Sequence, residues 1–306
     1  MKGIDISVVI PVYNSENFLS ELYSRLRAVL ESSGKSFEVI FSEDCSLDNS
    51  WGVLKELKEK DPGVITAIQL SKNYGQHNAT MCGMSFAKGE LVITMDDDLQ
   101  HSPEEINKLL TAYEDGHADV IYGDFRKKQH SMVRNAGSYS VKKVSKHLRK
   151  GKGKGSSFRL INRKTVDKLI EHNQYFIFID ELILWYTDKI EFVPVKHEKR
   201  KQSKSNYSGG MIWKLFSNLI FFYTGVPLKL MIYGGMTISF ITFLLGLQFI
   251  FRKIFLNLPL GYASIIVTVL FSTSIIIFSL GVIGEYLSRM HQIQNRRPPY
   301  NIHKVL

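Results

Sequence analysis

The chain has 306 residues, of which 44% are hydrophobic and 22% are charged, with a formal net charge of +10. This composition predicts one large globular domain, or one domain with an appendage, and excludes a mainly disordered chain. The only two cysteines, Cys45 and Cys82, exclude a disulfide framework and a cysteine-based zinc site. The basic residues concentrate after Arg126, which indicates an anionic partner such as nucleic acid, phosphate or a membrane surface.

Residues 4–125 alternate short β-branched runs with helix-like stretches. Strands are predicted at 6–12, 37–42, 64–70, 91–95 and 119–123, and helices at 15–34, 47–61, 75–89 and 102–116. Ser102 is the predicted N-cap of the last of these helices, and Pro103 occupies its first position. The alternation predicts an α/β domain whose mostly parallel sheet is covered by helices on both faces.

Three polar motifs follow the predicted strands. "PVYNSE" comes after the first strand, "SEDCSLDNS" after the second and "DDDLQ" after the fourth. Because ligands bind beyond the carboxyl ends of parallel strands, we expect one ligand to touch all three motifs. The chain has no G-x-G-x-x-G after its first strand and no P-loop, and "GKGKG" at 151–155 follows no strand and is interpreted as a solvated basic loop.

The three consecutive aspartates at 96–98 end an apolar strand. In an extended chain, Asp96 and Asp98 point to one side and Asp97 to the other. Two hard carboxylates on one side suit Mg²⁺ or Mn²⁺, which would bridge them to a substrate diphosphate that they would otherwise repel. The alternative is a capping and turn cluster, in which the aspartates make local hydrogen bonds.

Two segments near the end of the chain, residues 231–251 and 262–284, contain no charged residue. About 20 apolar residues are needed to cross ~30 Å of hydrocarbon, so we predict two transmembrane helices joined by a short loop. A buried helix pair of a soluble protein is the alternative. The lysines and arginines that flank the pair predict that both chain ends are cytoplasmic. Residues 209–225 have apolar side chains at helical spacing, which fits an interfacial amphipathic helix and a core helix equally well.

The stretches "SVVIPVYNSE", "EDCSLDNS", "NYGQHNA" and "TMDDDLQHSPEE" occur in the order and spacing of family 2 glycosyltransferases, which have the GT-A (Rossmann-like) fold. The chain most resembles the polyprenyl-phosphate glycosyltransferases, the dolichyl-phosphate-mannose-synthase-like group with two C-terminal membrane helices. The resemblance covers nearly the whole chain and includes "HEKRKQSKSNYS", which is similar to a late basic motif of that group.

The resemblance implies roles for individual residues of the first half. Pro11, Tyr13 and Glu16 match the first nucleotide-binding loop. Asp44 matches an aspartate that contacts the base, and Glu43 replaces the aspartate that usually precedes it. The metal-and-diphosphate motif is matched by Asp96, Asp98 and Gln100, which are therefore the expected metal ligands, with Asp98 also assigned to catalysis.

In the second half, the resemblance implies that cations grip the phosphates. Arg126 and Arg134 stand where the family places phosphate-binding arginines. The late basic motif is matched by Arg200, Ser205 and Tyr207, with Lys204 as an additional cation. Asn206 stands where the family usually has lysine, so one cation of that motif is replaced.

The chain departs from the pattern at Ser157, where many relatives carry an aspartate regarded as the catalytic base. Serine cannot act as a base unaided. One explanation is that the acceptor is a phosphate monoester, already largely ionised at pH 7 because its second pKa is ≈ 6. The other is that Asp180 or Glu181 supplies the base, although acids at a helix N-terminus are also stabilised by the helix dipole. His77 and His101 are interpreted as hydrogen-bonding or surface residues.

Taken with the resemblance, these patterns predict a hexosyltransferase-type enzyme of the inner cell membrane. It would use Mg²⁺ or Mn²⁺ to transfer a sugar, with inversion, from a nucleotide-sugar, expected to be UDP-linked, to a polyprenyl (undecaprenyl) phosphate. A transferase with a protein or polysaccharide acceptor and a non-catalytic membrane scaffold are the alternatives. Nucleic acid is not an expected partner, because it would not explain the membrane helices, and a homo-oligomer is left open.

The predicted division of the chain has four parts. They are a cytoplasmic GT-A domain at 1–208, a juxtamembrane helix at 209–229, a transmembrane hairpin at 230–288 and a cytoplasmic tail at 289–306. The hairpin places the catalytic domain beside a lipid acceptor at the cytoplasmic leaflet.

Overall fold

The computed structural model describes residues 3–124, 156–172, 178–196, 262–294 and 298–306, with eight single positions between 233 and 255. The chain divides into two compact units. The first comprises Met1–Ser205 and Pro298–Leu306, and the second Asn206–Arg297. The predicted basic loop at 151–155 and the predicted amphipathic helix at 209–225 lie outside the described residues.

One eight-stranded sheet forms the centre of the first unit, with the order β7-β5-β6-β4-β1-β2-β3-β8. The strands are β1 (Ile6–Val12), β2 (Phe37–Glu43), β3 (Ile65–Leu70), β4 (Leu91–Thr94), β5 (Val120–Asp124), β6 (Arg159–Asn162), β7 (Ile190–Pro194) and β8 (Ile302–Val305). β6 runs antiparallel to β4 and β5, and β8 runs antiparallel to β3, whereas all other neighbours are parallel. Six of the eight strands therefore point the same way, as the alternating pattern predicts.

Seven helices can be followed in the described residues. They are α1 (Leu19–Ser32), α2 (Ser50–Lys60), α3 (Gln76–Phe86), α4 (Ile106–Asp115), α5 (Arg163–Ile170), α6 (Ile179–Tyr186) and α7 (Tyr262–Gln294). A short 3₁₀ turn, Pro103–Glu105, precedes α4. Ser102 occupies the predicted N-cap position of this turn, with Pro103 in the first position, but its side chain makes no capping bond. The Ser102 hydroxyl instead accepts a hydrogen bond from Arg25 at 3.1 Å and donates one to Glu104.

The two faces of β1 pack against different helices. Ile6, Val8 and Ile10 join the apolar core formed with α1, α2 and α4. Val9 points to the opposite face, where α3 packs so closely that a Cβ on Gly83 would lie 2.4 Å from the Val9 side chain. Only glycine fits at this contact, so the alternation along β1 and the glycine in α3 together set the layered packing.

The strand register brings the three polar motifs to one edge of the sheet. Val12 at the end of β1 pairs with Glu43 at the end of β2, and Thr94 at the end of β4 pairs with Val9. In the register of the sheet, the loops that follow these three strands therefore begin within a few residues of one another. Neighbouring parallel strands must deliver their connecting loops to a common edge, which is where ligands bind in such sheets.

The last strand was not predicted from the sequence. Residues 302–305 pair antiparallel with β3, and the flanking residues extend the contact. The Ser71 amide donates to the Asn301 carbonyl at 2.9 Å, and the Ala67 amide donates to Leu306 at 3.2 Å. Residues expected to form part of a tail thus complete one edge of the sheet, and the chain returns to the first unit after the second.

The second unit is described mainly through α7, a helix of 33 residues that contains the second predicted membrane span, 262–284. Most of the first predicted span, 231–251, lies outside the described residues. In the parts of the chain that the structure describes, no helix meets the combined requirement of length and apolar character for crossing a membrane.

Candidate functional site

The loops after β1 and β2 are joined side to side by hydrogen bonds between side chains and backbone. The Asn14 amide donates to the Ser46 hydroxyl at 3.0 Å. The Glu16 carboxylate accepts from the Asn49 amide at 2.7 Å, and the Glu16 amide donates to Asp48 at 3.1 Å. These reciprocal bonds make the two predicted nucleotide-binding loops one structural piece, and they occupy the Glu16 side chain with loop contacts.

Asp97 attaches the loop after β4 to the loop after β1. Its Oδ2 accepts from the Tyr13 amide at 3.0 Å and from the Ser15 hydroxyl at 2.5 Å. Desolvation raises the pKa of Asp97 to about 7, the charges of Asp96 and Asp98 add to this effect, and the two hydrogen bonds oppose it. The middle aspartate therefore has different partners from its two neighbours, as the i, i+2 geometry predicts.

Asp44 plays a similar part for the segment after β3. Its two carboxylate oxygens accept from the Tyr74 amide at 2.7 Å and the Gly75 amide at 2.8 Å. The side chain is 3% exposed, and burial raises its pKa to about 6 against the lowering effect of these two bonds. Gly75 has a φ of +90°, which an L side chain rarely adopts, so glycine lets the backbone turn its amide towards Asp44.

Glu43, the residue that replaces an aspartate in the family pattern, is buried at the end of β2. One carboxylate oxygen accepts from the Ser46 amide, and the other is buried without a hydrogen-bond partner among the described residues. Pro11, also assigned to the nucleotide loop, lies in β1 opposite Ser42. The Tyr13 side chain is 37% exposed and thus available to a ligand.

Backbone strain is concentrated in these loops. The non-glycine residues with positive φ in the described parts of the chain are Asn14 at 53°, Cys45 at 56° and Leu99 at 58°. Each follows a different one of β1, β2 and β4. Residues held in such sparsely populated conformations cluster at functional sites, where the surrounding contacts determine the backbone path.

Asp96 and Asp98 each accept hydrogen bonds from neutral groups. Asp96 accepts from the side-chain amide of Gln76 at 2.5 Å and from the Ser157 hydroxyl at 2.6 Å. Its backbone amide donates to the His101 ring at 3.3 Å, and that ring lies 3.8 Å from the carboxylate. Asp98 accepts from the backbone and side-chain amides of Gln100, so Gln100 is a partner of Asp98 here.

A cavity of about 200 Å³ adjoins Asp96. It is lined by Gln76, His77, Thr80, Asp96, Ser156, Ser157, Arg159, Phe178 and Asp180. Arg159 is 2% exposed and pairs with Asp180 at 2.5 Å, while the Tyr122 hydroxyl donates to the same Asp180 oxygen at 3.0 Å. The ion pair fixes Asp180 in the cavity wall through a charge-assisted hydrogen bond.

His77 is the second residue of α3 and packs against Phe178, with ring centroids 4.6 Å apart. Burial lowers the pKa of His77 to about 4, and the nearby Arg159 acts in the same direction, whereas Asp180 and Asp96 oppose the shift. The imidazole is consequently neutral at pH 7, so it offers one hydrogen-bond donor and one acceptor.

The structure brings together the site residues that were predicted on β1, β2, β4 and α6. Glu181, predicted as an alternative base, is 4% exposed in the first turn of α6. The six predicted residues that lie outside the described residues are Arg126, Arg134, Arg200, Lys204, Ser205 and Tyr207. Among the described residues, no group of three or more His, Cys, Asp or Glu side chains is arranged to hold a metal ion.

Three contributors were missed by the sequence analysis: Gln76, Ser15 and Arg159. Gln76 contacts Asp96, Ser15 contacts Asp97, and Arg159 pairs with Asp180. An arginine inside the apolar run "FRLIN" was the available signal, because a buried arginine requires an acidic partner. Ser15 lies in the loop after β1 and Gln76 is the first residue of α3; both fall within stretches that carry the family resemblance, but neither has a feature of its own that singles it out.

A larger cavity of about 390 Å³ lies at the opposite end of the sheet. Its lining includes Asp5 before β1, Lys35 before β2 and Glu90 before β4. These positions are at the amino ends of parallel strands, whereas ligands of such sheets bind at the carboxyl ends. The smaller cavity beside Asp96 is therefore the one that belongs to the candidate site.

Comparison with known families gives two matches along the chain. The model of the family described as "Glycosyl transferase family 2" matches residues 7–183, and the model described as "GtrB C-terminal hairpin" matches residues 226–290. The first match covers more than half of the chain and includes the three loops and α6 as far as Ile183.

Relatives match over almost the full length. The undecaprenyl-phosphate 4-deoxy-4-formamido-L-arabinose transferase of Edwardsiella ictaluri (strain 93-146) is 32% identical, over 98% of this chain and 94% of that protein. The transferase of the same name from Klebsiella pneumoniae subsp. pneumoniae is also 32% identical, over 98% of this chain and 93% of that protein.

Solved structures share the fold. Glucosyl-3-phosphoglycerate synthase from Mycobacterium tuberculosis, in complex with Mn²⁺, UDP and phosphoglyceric acid, has a TM-score of 0.52 at 16% identity, covering 71% of this chain and 78% of that chain. Mannosyl-3-phosphoglycerate synthase from Rubrobacter xylanophilus has a TM-score of 0.52 at 13% identity, covering 76% and 75%. By the family model and by its full-length relatives, the chain belongs to glycosyl transferase family 2 and is a glycosyltransferase.

Proposed function

We propose that the chain transfers a sugar from a nucleotide-sugar, expected to be UDP-linked, to undecaprenyl phosphate at the cytoplasmic face of the membrane. The observation that carries the proposal is the joining of the loops after β1, β2 and β4 by hydrogen bonds, in a chain with full-length relatives named as undecaprenyl-phosphate transferases. Loops at the carboxyl edge of a parallel sheet form the usual ligand-binding crevice of this architecture.

The nucleotide would lie along the loops after β1 and β2. Tyr13 presents a partly exposed ring at this edge, and Asp44 stands beside it at the end of β2. The bonds from Tyr74 and Gly75 pre-position the Asp44 carboxylate before any ligand arrives. In this proposal Pro11, Glu16 and Glu43 support the loops, and Tyr13 and Asp44 are the groups that meet the nucleoside.

The diphosphate would lie near Asp96 and Asp98, and these residues fit a divalent cation. Both are hard carboxylates, and Asp96 is held by an amide and a hydroxyl, which leave its negative charge in place. Mg²⁺ is usually bound by one or two carboxylates together with substrate phosphates and water, so two protein ligands suffice. A bound Mg²⁺ or Mn²⁺ would stabilise the charge that develops on the departing diphosphate.

The phosphate-gripping role of Arg126, Arg134, Arg200 and Lys204, with Ser205 and Tyr207, is part of the proposal through the family resemblance. Positive side chains aimed at the departing diphosphate would act where negative charge develops in the transition state. Attack by the lipid phosphate from the opposite side of the sugar would proceed in line and invert the anomeric centre.

The acceptor phosphate needs alignment more than deprotonation, because its second pKa of ≈ 6 leaves it largely ionised at pH 7. Asp180 is already engaged by Arg159 at 2.5 Å and by Tyr122 at 3.0 Å, which favours a positioning role over that of a mobile base. Ser157, at the position where the family resemblance implies an aspartate, donates a hydrogen bond to Asp96. In this chain Ser157 therefore orients the carboxylate of Asp96, which lies on the diphosphate side of the proposed site.

The pairing of β8 with β3 supports the membrane hairpin in this proposal. Residues before and after the second unit belong to one sheet, so they lie on the same side of any membrane. The chain between them must then cross an even number of times, which agrees with two spans within 230–288 and with both ends in the cytoplasm. The match of residues 226–290 to a C-terminal hairpin model points the same way.

Topology can be tested by labelling introduced cysteines in intact cells with a membrane-impermeant reagent, after replacement of Cys45 and Cys82. Asn257→Cys, in the loop between the proposed spans, should be labelled. His303→Cys in β8 is the matched control and should be protected until the cells are lysed. Protection of position 257 together with labelling of position 303 would contradict the proposed orientation.

The activity can be tested with purified protein, undecaprenyl phosphate, Mg²⁺ and a panel of labelled nucleotide-sugars that includes UDP-linked 4-deoxy-4-formamido-L-arabinose. We expect label from one donor to appear in the organic phase. Undecaprenol, which lacks the phosphate, is the matched acceptor control and should accept no sugar. Transfer to a soluble acceptor but not to the lipid phosphate would overturn the proposed acceptor.

A further inference from the structure

His77 has polar atoms that the fold itself does not use. It lines the cavity beside Asp96, and its ring is held on one side by Phe178 at 4.6 Å. Within the described ranges of the first unit, neither ring nitrogen has a hydrogen-bond partner. The residue is half-buried and its nitrogens are not among the buried atoms that lack a partner, so the cavity leaves them open to a polar ligand. A ligand that removed them from water would be expected to hydrogen-bond them.

The cavity wall suits a neutral polar ligand. Besides His77, it presents the side chains of Gln76, Thr80, Ser156 and Ser157, all of them uncharged hydrogen-bonding groups. The charges of Arg159 and Asp180 compensate each other across a distance of 2.5 Å. The remaining charged side chain in the cavity wall is Asp96. A phosphate dianion would be repelled by this wall, whereas a ring carrying hydroxyl or amide groups would find donors and acceptors on several sides.

The size and position of the cavity fit one part of a nucleotide-sugar. Its volume of about 200 Å³ is smaller than the roughly 300–1,000 Å³ of pockets that hold whole drug-sized ligands, which suits a single ring. Asp96 forms part of its wall and also belongs to the proposed diphosphate site. A ring placed here would therefore be directly attached to the diphosphate.

We infer that this cavity holds the transferred sugar of the donor and that His77 is a specificity-determining residue, hydrogen-bonded to a hydroxyl or amide substituent of that sugar. The inference rests on the proposed function for the location of the diphosphate. Burial and Arg159 keep the imidazole neutral at pH 7, so it serves as both donor and acceptor. A site built to hydrogen-bond one substituent rejects analogues that lack it, because its own polar groups are then left unpaired.

The test measures by calorimetry how tightly the protein binds each nucleotide-sugar and the corresponding nucleoside diphosphate. Both are measured in the presence of Mg²⁺ and in the absence of the lipid acceptor. His77→Phe keeps a ring against Phe178 and removes both nitrogens, whereas His77→Gln keeps one donor and one acceptor without charge. His117→Phe, at an exposed position before β5, is the matched control. His77→Ala gives a second measurement if the phenylalanine variant does not fold.

We expect His77→Phe to weaken binding of the preferred nucleotide-sugar roughly three- to thirty-fold, the effect of losing one or two neutral hydrogen bonds. Binding of the bare nucleoside diphosphate should stay within about twofold, the glutamine variant should retain most of the affinity, and the control should match the wild type. The transfer rate of His77→Gln should keep the wild-type pH profile, because a neutral hydrogen-bonding residue contributes no ionisation there.

Three results would overturn the inference. In the first, the wild type binds every nucleotide-sugar no more tightly than its nucleoside diphosphate. In the second, His77→Phe changes the binding of the two ligands equally or not at all. In the third, the only effect of His77→Phe is on the KM for undecaprenyl phosphate. Because the binding experiment omits the lipid, it separates the two proposals. A selective loss of nucleotide-sugar binding would support the role of His77 even if the acceptor were not undecaprenyl phosphate. Transfer to the lipid would support the proposed function even if His77→Phe had no effect on binding.

Discussion

The two halves of the site hold their carboxylates by different means. On the nucleotide side, Asp44 and Asp97 accept hydrogen bonds from backbone amides, helped in one case by a serine hydroxyl. On the cavity side, Asp180 is held by the guanidinium of Arg159, which is almost completely buried. Asp96 lies between the two halves and is held by neutral side chains.

This difference separates carboxylates that shape the site from carboxylates that act on a ligand. Backbone amides satisfy Asp44 and Asp97 without adding a formal charge, and burial raises the pKa of both. A buried ion pair neutralises Asp180 and makes its two members depend on each other. Asp96 and Asp98 are the two carboxylates proposed to hold a cation, so changes at each kind of position should have distinct consequences.

The largest expected effect is the loss of transfer when the ligand-facing aspartates are neutralised. Asp96→Asn and Asp98→Asn should each reduce the transfer rate at least about 10²-fold, because charge stabilisation of the departing diphosphate is lost. EDTA should reproduce the loss, and Mg²⁺ or Mn²⁺ should restore activity to the wild type. Radiolabel transfer to the lipid measures all three.

Asp97→Asn is the matched control for this experiment, since its carboxylate contacts the loop after β1 and is expected to lose less than about tenfold. Full activity of the wild type in EDTA would exclude the metal. An Asp97→Asn enzyme as inactive as Asp98→Asn would show that the proposed division between loop-shaping and ligand-facing aspartates is wrong.

The second effect concerns stability on the cavity side. Arg159→Met should lower the free energy of unfolding by about 3–5 kcal/mol, because it leaves the Asp180 carboxylate buried without its cation. Urea denaturation measures the change. The double variant Arg159→Met with Asp180→Leu should recover a large part of the loss, since it removes both charges.

Additive losses in that double variant would contradict the mutual dependence of the pair. Lys35→Met is the matched control, because both members of its pair with Glu114, at 2.9 Å, lie on the surface. An exposed pair of that kind contributes about 0.2–1 kcal/mol.

The third effect is a pH dependence from the nucleotide side. Burial raises the pKa of Asp44 from its ordinary value of 3.8 to about 6, so the folded state binds a proton more tightly than the unfolded state. The resulting stabilisation is complete below about pH 4 and is lost as the pH rises through about 6. A difference of two pKa units between the folded and unfolded states corresponds to at most about 3 kcal/mol in the free energy of unfolding.

Unfolding free energies of the wild type and Asp44→Asn should therefore be compared at intervals between pH 4 and pH 7. The wild type should lose stability relative to the variant over this range, since asparagine has no carboxyl proton to release. Parallel curves for the two proteins would mean that Asp44 does not titrate in this window in the folded state.

The smallest expected effect tests whether the cavity side contains the base. If the lipid phosphate attacks as a preformed dianion, Asp180→Asn and Glu181→Gln should each lower turnover less than about tenfold, after correction for the folded fraction. The pH profile should rise with the acceptor's ionisation near ~6 and then flatten. A loss of roughly 10²–10⁴-fold confined to Asp180→Asn, with normal donor binding, would identify Asp180 as the base instead.

Much of the site could be predicted because its determinants are local in the chain. β-Branched runs and the helical stretches between them predict the five strands from β1 to β5, and the motifs after β1, β2 and β4 lie where a parallel sheet must deliver them. Asp96 and Asp98 stand out at the end of an apolar strand. Each of these signals depends on residues within a few positions of one another, whose conformational preferences are set by their own chemistry.

The remaining features depend on which distant segments meet. Ser15 and Asp97 are 82 residues apart, Thr94 and Arg159 are 65 apart, and β8 finds the edge of β3 more than 230 residues after it. The predicted N-cap position of Ser102 is confirmed, but its hydroxyl bonds to Arg25 of α1, 77 residues away in the chain, and makes no capping bond. Local sequence determined where polar groups stand on each strand and loop. Only the tertiary packing decided which of them are buried together, because a buried polar group must find its partner wherever the fold places one.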